Sequence, residues 1–305
     1  VATEQGRDAD AMTGIGKAAM VIEELIRRDP SNRELQYQLA DTLIMRVRAD
    51  NRSSRWAAVM ESTARVRELM EPLVRADPSH RDYSFCLSSA WFYSAVAYVN
   101  RGEHAEAIRA CERAAALTES KIQGPAPALS DMSQLALVYF VLGDAHEKAN
   151  RPADAELARD KAFSLRRTML ERQPTNTRYV GHLMTSCHSL ADWYLSSDQR
   201  DAAVRVLTQS RDVLRKVPQP QPVHLMALAQ ICSRLSAVRG ADTEEAHGDA
   251  DEAMAALKKA SAADPRIART LRSDRHLNPL RQREDFKTLL ADLNSPDPVT
   301  DKPKP

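Results

Sequence analysis

The chain has 305 residues, 43% of them hydrophobic and only 5% aromatic, and its 43 Lys+Arg nearly cancel its 42 Asp+Glu. That balance argues against a general nucleic-acid binder, which carries a basic excess. Four cysteines, Cys86, Cys111, Cys187 and Cys232, include no CxxC pair, so neither a zinc site nor a disulfide framework is expected.

Residues 1–12 read as a linker. Ala18, Ile22 and Leu25 then recur at helical spacing up to Asp29-Pro30, like the second helix of a hairpin. From there Pro30, Pro78, Pro125, Pro174, Pro218 and Pro265 form a ruler with an even step, each following a predicted second helix. Such a period marks a repeat protein. In the first full unit, Tyr37, Leu39, Ala40 and Leu43 mark one helix and Val66, Met70 and Leu73 the other, with Ala49–Arg55 as an enlarged turn.

The second unit contains AWFYSAVAYVNRGEHAEAIRACERAAAL, Ala90 to Leu117. Trp91, Ala95 and Tyr98 share one helical face, Ala107, Cys111 and Ala114 another, and Gly102 sits at the turn, where positive φ is needed. This stretch resembles a tetratricopeptide repeat (TPR), which implies an all-α, right-handed superhelical solenoid of antiparallel hairpins over residues 13–265. HEAT-like repeats have a similar period and are the structural alternative; the small-residue pattern favours the TPR-like reading. A simple TPR has about 34 residues, so the extra length must lie in longer helices or in the turns.

The third unit shows Tyr139, Leu142, Gly143 and His146, then Ala155 and Ala162; His146 stands where the TPR pattern has tyrosine. The fourth shows Leu190, Ala191, Tyr194, Ala203 and Leu207, with Cys187 at the leading aromatic position. The fifth has Leu225, Leu228, Ala229 and Cys232, then Ala253, Leu257 and Ala260, separated by a polar insert, Gly240–Asp249, expected to be a mobile loop.

Residues 266–293 read as short helices capping the solenoid, with Leu271, Leu277, Leu280, Phe286, Leu289, Leu290 and Leu293 as their apolar positions. Residues 294–305 hold four prolines and read as a disordered tail. Asp274, Leu277, Pro279-Leu280 and Asp285-Phe286 resemble the end of TPR regions that follow serine/threonine kinase domains in planctomycete-like bacteria. That resemblance implies a kinase domain, with or without a membrane span, upstream of Val1, and a signalling role for this region.

Several motifs dissolve on inspection. His80-Arg81-Asp82 mimics a kinase catalytic loop, but Leu87 stands where that loop needs asparagine, so His80 is expected to open a repeat helix. Gly14-Ile15-Gly16 has the spacing of a dinucleotide loop but no βαβ context and reads as a helix start. His146-Glu147 lacks the second metal-binding histidine. No catalytic, metal or cofactor residues are assigned. The longest uncharged apolar run, Leu135–Gly143, is far short of the ~20 residues of a membrane span. The chain is thus expected to be soluble, either cytoplasmic or the extracytoplasmic part of an anchored parent.

In the TPR architecture the first helices line a concave surface. Carried over, the register gives one row of Tyr37, Phe92, Phe140, His188 and Met226, and, four residues on, Asp41, Val96, Asp144, Asp192 and Gln230. An aromatic row beside acids suits a protein or peptide segment of basic and apolar character. The competing account makes the aromatics packing residues and pairs the acids with arginines of the next helix. The expected function is a non-enzymatic binding scaffold; a helical-repeat enzyme, or a spacer or homo-oligomerisation element, are the alternatives.

Overall fold

At Pro30, Pro78 and Pro265 short turns built by aspartate and proline separate the repeats. Asp77 Oδ1 accepts from the backbone N–H groups of Ser79 and His80, both at 3.1 Å, across Pro78. Asp29 takes the Ser31 hydroxyl and the Asn32 amide across Pro30, and Asp264 takes the Arg266 N–H across Pro265. Proline ends one helix, and the carboxylate satisfies the amides that the next turn would leave open. His80 Nδ1 and Asn32 Oδ1 then cap the helices that follow.

These turns join the helices of a computed structural model that describes residues 2–240 and 243–293; the expected tail, 294–305, lies outside them. The chain divides into two compact units, Val1–Leu165 and Arg166–Pro305. The first holds α1 (Ala2–Arg28), α2 (Arg33–Arg52), α3 (Trp56–Ala76), α4 (Arg81–Arg101), α5 (His104–Glu119) and α6 (Leu129–Lys148). Helix α7 (Pro152–Arg172) begins in it and ends in the second. The second continues with α8 (Thr177–Ser196), α9 (Arg200–Arg215), α10 (Pro222–Arg239), α11 (Glu244–Ala263), α12 (Ala268–Ser273) and α13 (Glu284–Asp292). A 3-10 turn, Arg275–Leu280, lies between α12 and α13. Among the described residues there is no strand.

Within the first unit each of α1 to α6 packs on its chain neighbour, and the first helices also touch each other, α2 on α4 and α4 on α6. The second unit repeats this with α8, α9, α10 and α11. This is an all-α helical-repeat solenoid. Its extra length over a simple TPR lies in the helices: α2, α3 and α4 have 20, 21 and 21 residues.

Small residues set the packing distance. Ala107, Cys111 and Ala114 are fully buried between α4, α5 and α6, in a cluster with Leu135, Val138 and Ala145. At Gly143 a Cβ would meet Arg159 Cγ at 2.8 Å and the Ala155 carbonyl at 3.4 Å, so only glycine lets α6 approach α7 this closely. All four cysteines are buried and unpaired. Burial pushes the Cys187 thiol up to about 12, as expected for inert core residues. In the second unit, Leu271, Leu277, Leu280 and Phe286 of the C-terminal segment pack against Leu225, Ala229, Ala253 and Leu257 of the last hairpin.

Four expectations need correction. The stretch taken as a linker, 1–12, is helical from Ala2, and Gly14 and Gly16 lie inside α1 rather than at its start. The turn expected over Ala49–Arg55 shrinks to residues 53–55, because α2 runs on to Arg52. The insert expected as a loop over Gly240–Asp249 is helical from Glu244, with 241 and 242 outside the described residues: Thr243 caps α11, and Asp249 is buried within it, paired with Arg211 at 2.8 Å and Arg239 at 2.9 Å. Those two guanidiniums hold Asp249 inward, while Glu244 and Glu245 stay exposed in the first turn of α11.

Candidate functional site

Each hairpin turn carries one residue at positive φ: Ser54, Gly102, Asn150, Asp198 and Gly240, with φ of 55, 80, 58, 58 and 91°. These positions set the common register. Ten residues before each stands Ile44, Phe92, Phe140, His188 and Gln230, and six before each Arg48, Val96, Asp144, Asp192 and Arg234. The aromatic row therefore holds for Phe92, Phe140 and His188. Tyr37 and Asp41 sit two turns nearer the start of α2, and Met226 one turn before Gln230.

In the first unit the row is only partly open. Phe92 is buried, edge-on to Tyr93 with centroids 4.9 Å apart, and so supports the packing of α4. Val96 and Phe140 are half-buried against the same core. Beside them Tyr93 and Val141 are half-buried, and Met45, at the equivalent place on α2, is 47% exposed. Asp144 accepts from Arg159 Nη2 of α7 at 3.0 Å, and Arg159 also binds Glu147. Burial raises the Asp144 carboxyl above the usual carboxylate range, against the pull of Arg159. Tyr37 is half-buried against Tyr83, centroids 5.6 Å apart. Its hydroxyl is pushed up to about 12 by burial, then by Asp41 and Asp82. Asp41 itself is exposed, and among the described residues it has no ion-pair partner.

In the second unit the same positions are covered by the chain's own C-terminal segment. His276 of the 3-10 turn stacks on His188, centroids 3.7 Å apart and planes 6° from parallel. Arg234 Nη1 lies 2.9 Å from His188 Nδ1, and its Nη2 donates to Asp192. Arg275 approaches the other Asp192 oxygen at 3.9 Å. Gln230 Nε2 donates to Asp274, whose carboxylate also caps the 3-10 turn at His276 N, 2.9 Å away. A guanidinium only donates, so His188 Nδ1 holds a lone pair and the ring is neutral. Burial, then His276, Arg234 and Arg275, push His188 down to about 2. Met226 is buried among the leucines and alanines of α10 and α11.

The structure thus brings His188, Asp192 and Gln230 to one place, Phe140 and Asp144 to another, and removes Phe92 and Met226 to the core. Sequence reasoning anticipated that acids would pair with arginines, but not that Arg159 and Arg234 were the partners. It also missed His276 and Asp274. The stripe of first helices gave no sign of them, because they come from the far end of the chain.

No family model matches the chain, and no curated protein matches it. Solved structures do. BtubC (BKLC) from P. vanneervenii is similar at 14% identity over 87% of this chain and 92% of its own, with a TM-score of 0.54. The apo form of RapI is similar at 11% identity over 95% and 94%, with a TM-score of 0.50. A putative kinesin light chain from Podosopora anserina, with nearly identical TPR-like repeats, covers 73% of this chain at 16% identity and a TM-score of 0.48. At such identities the likeness is one of fold. Together with the hairpin register, the likeness to BtubC and RapI defines the chain as an all-α helical-repeat solenoid.

Proposed function

We propose that the chain is a non-enzymatic scaffold that binds a protein or peptide segment of basic and apolar character on the face of α2, α4 and α6. The observation carrying this is the partly open run of Met45, Tyr93, Val96, Phe140 and Val141, with Asp41 and Asp144 beside it. Rings supply rigid contact area at low entropic cost, and the acids select cationic partners. Panning a random peptide library on the full chain tests it. Enriched sequences should combine Lys or Arg with apolar residues and lose binding to Phe140→Ala; enrichment without such a pattern overturns the reading.

The kinase association belongs to this proposal: the resemblance of Asp274, Leu277, Pro279-Leu280 and Asp285-Phe286 supports a reading of the scaffold as the neighbour of a bacterial serine/threonine kinase in signalling. A reading frame upstream of Val1 without a kinase domain refutes that part. A second reading is favoured by α1, where Met20 and Val21 are 69% and 61% exposed. Such a stripe suits self-association. Light scattering of the parent and of Met20→Lys/Val21→Lys separates a dimer from a monomer.

A further inference from the structure

The second helices α3 and α5 of the first unit each lie between two first helices. Helix α3 packs on α2 and α4, and α5 on α4 and α6, whereas among the described residues α1 packs on α2. The Asp29-Pro30 and Asp77-Pro78 turns close α1 and α3 alike, so each residue of α1 corresponds to the residue 48 later in α3. On α3, Ser62, Val66 and Leu73 are buried and Leu69 is half-buried. Val66, Leu69 and Leu73 share a core with Leu39, Ala40 and Leu43 of α2. On α1 the counterparts are Gly14, Ala18, Val21 and Leu25, and all four are exposed, Val21 at 61% and Leu25 at 40%. The flank that meets α2 is a different one, Ala19, Ile22 and Ile26. Helix α1 thus carries the surface with which a second helix grips the first helix of its hairpin, and among the described residues nothing covers it.

Resting on the self-association reading above, we infer that this surface takes α1 of a second copy, antiparallel, about a two-fold axis between Ala18 and Val21. A first helix in that place would run antiparallel to α1, as α2 does to α3, and a two-fold contact gives the same direction. Side-chain size agrees. The spacing i, i+4, i+7, i+11 puts the four residues on one stripe. The two-fold then sets Gly14 opposite the second copy's Leu25, and Ala18 opposite its Val21, small against large at each level. Gly14 leaves the hollow for that leucine, since a Cβ there would meet nothing within 4 Å in the protomer. A mid-helix glycine weakens a lone α1, and close approach of a second helix is what gives it a use. Charge agrees as well. Lys17 and Glu24 border the stripe on one side, seven residues apart, so the same axis brings each Lys17 to the second copy's Glu24. Glu24 is held within its own helix by Arg27 and Arg28 and keeps its side chain 45% exposed. Met20 lies beyond that charged row and outside the contact.

Sedimentation velocity on the full chain, from about 1 to about 300 μM, tests this. A reversible dimer is expected with a Kd of roughly 10–100 μM, the range of a contact one helix wide. Val21→Lys should weaken it at least about tenfold, and Met20→Lys should leave it unchanged. Lys17→Glu and Glu24→Lys should each weaken it severalfold at low salt, and the double exchange should restore it, because only an antiparallel pair brings those two residues together. Parent-like dimerisation of Val21→Lys, or a double exchange no better than the single ones, overturns the inference. If in that case Met20→Lys abolishes the dimer, the self-association reading stands on another face. A parent that stays monomeric at about 300 μM overturns both and leaves the surface to a helix of a different chain.

Discussion

Acidification from pH 7.5 to 5 should loosen the C-terminal segment from α8 and α10. His188 is neutral where it stacks on His276, because Arg234 donates into its Nδ1. The groups facing the stack are Asp192 from α8, Arg234 from α10, and Asp274 and Arg275 from the segment itself. Burial first, then the cations, depress both rings, His188 down to about 2 and His276 below its ordinary value. The sign follows from proton binding. Once the segment lifts away, His188 loses the cover of His276 and the charge of Arg275, so its pKa rises towards the ordinary value while Arg234 still faces it, and it takes up protons that the docked form refuses. Docking is therefore unaffected above pH 6.5 and weakens as pH falls below it. At about 1.36 kcal/mol per pH unit, His188 costs at most about 2 kcal/mol at pH 5, a limit of roughly 30-fold in local opening. His276 is less buried and adds a smaller part. Hydrogen exchange reads this directly at the amides of His276 and Leu277, which bond to Asp274. After correction for intrinsic rates, their protection should fall severalfold, with about 30-fold as the limit, between pH 7.5 and 5, and His188→Phe should flatten most of that dependence. Unchanged protection in the parent across this range refutes the neutral-stack account.

Ala107→Leu should destabilise the first unit by about 1–3 kcal/mol in a urea melt, while Ala116→Leu, exposed on the same helix, should stay within about 0.5 kcal/mol; equal effects would contradict the α5 register. Gly143→Ala should also destabilise, by about 1–2 kcal/mol, because its Cβ meets Arg159 Cγ at 2.8 Å. Intrinsic helix preference alone would stabilise by about 1 kcal/mol, so the sign of the change decides. Asp249→Asn should destabilise, by up to about 3–5 kcal/mol, since it leaves Arg239 without its carboxylate and Arg211 with Asp212 alone. A melting temperature within a degree or two of the parent would show that water relieves that site.

Repeat spacing could be read from sequence because its chemistry is local. Asp-Pro turns and their caps involve residues two or three apart, so the proline ruler and the helix N-termini follow from neighbours in the chain. Helix ends were harder. Of the five hairpin turns only two use glycine at the positive-φ position; Asn150 and Asp198, types that tolerate the left-handed region but also occur elsewhere, and Ser54 fill the others, a weaker signal than glycine. Glycine alone does not decide where the row held, since it slipped at Met226 ahead of Gly240 and held at Phe140 and His188 ahead of Asn150 and Asp198. The insert before Asp249 was misread for a different reason. Its acids look like a solvated loop, and Glu244 and Glu245 do face solvent, but Asp249 is drawn in by Arg211 and Arg239 from α9 and α10.

Charge pairing also bears on what the face can recognise. Asp144 and Asp192 look like free acids in a linear reading, but each is already held by an arginine from another helix, Arg159 and Arg234. A held carboxylate is not a spent one. Asp192 still has its second oxygen towards Arg275. The fixed arginine removes most of the rotamer freedom that an incoming cation would otherwise have to freeze, and it lowers the net charge the partner must balance. Binding at such a site therefore depends less on salt than a bare acidic patch would, and more on the ring one turn before the acid. By contrast Asp41, exposed and with no ion-pair partner among the described residues, is the acid whose contribution salt should erase. For a bound basic segment, Asp41→Asn should weaken affinity only at low ionic strength, whereas Phe140→Ala should weaken it at every salt concentration. Equal salt dependence in the two variants would mean that the ring and the acids do not divide the work of recognition in this way.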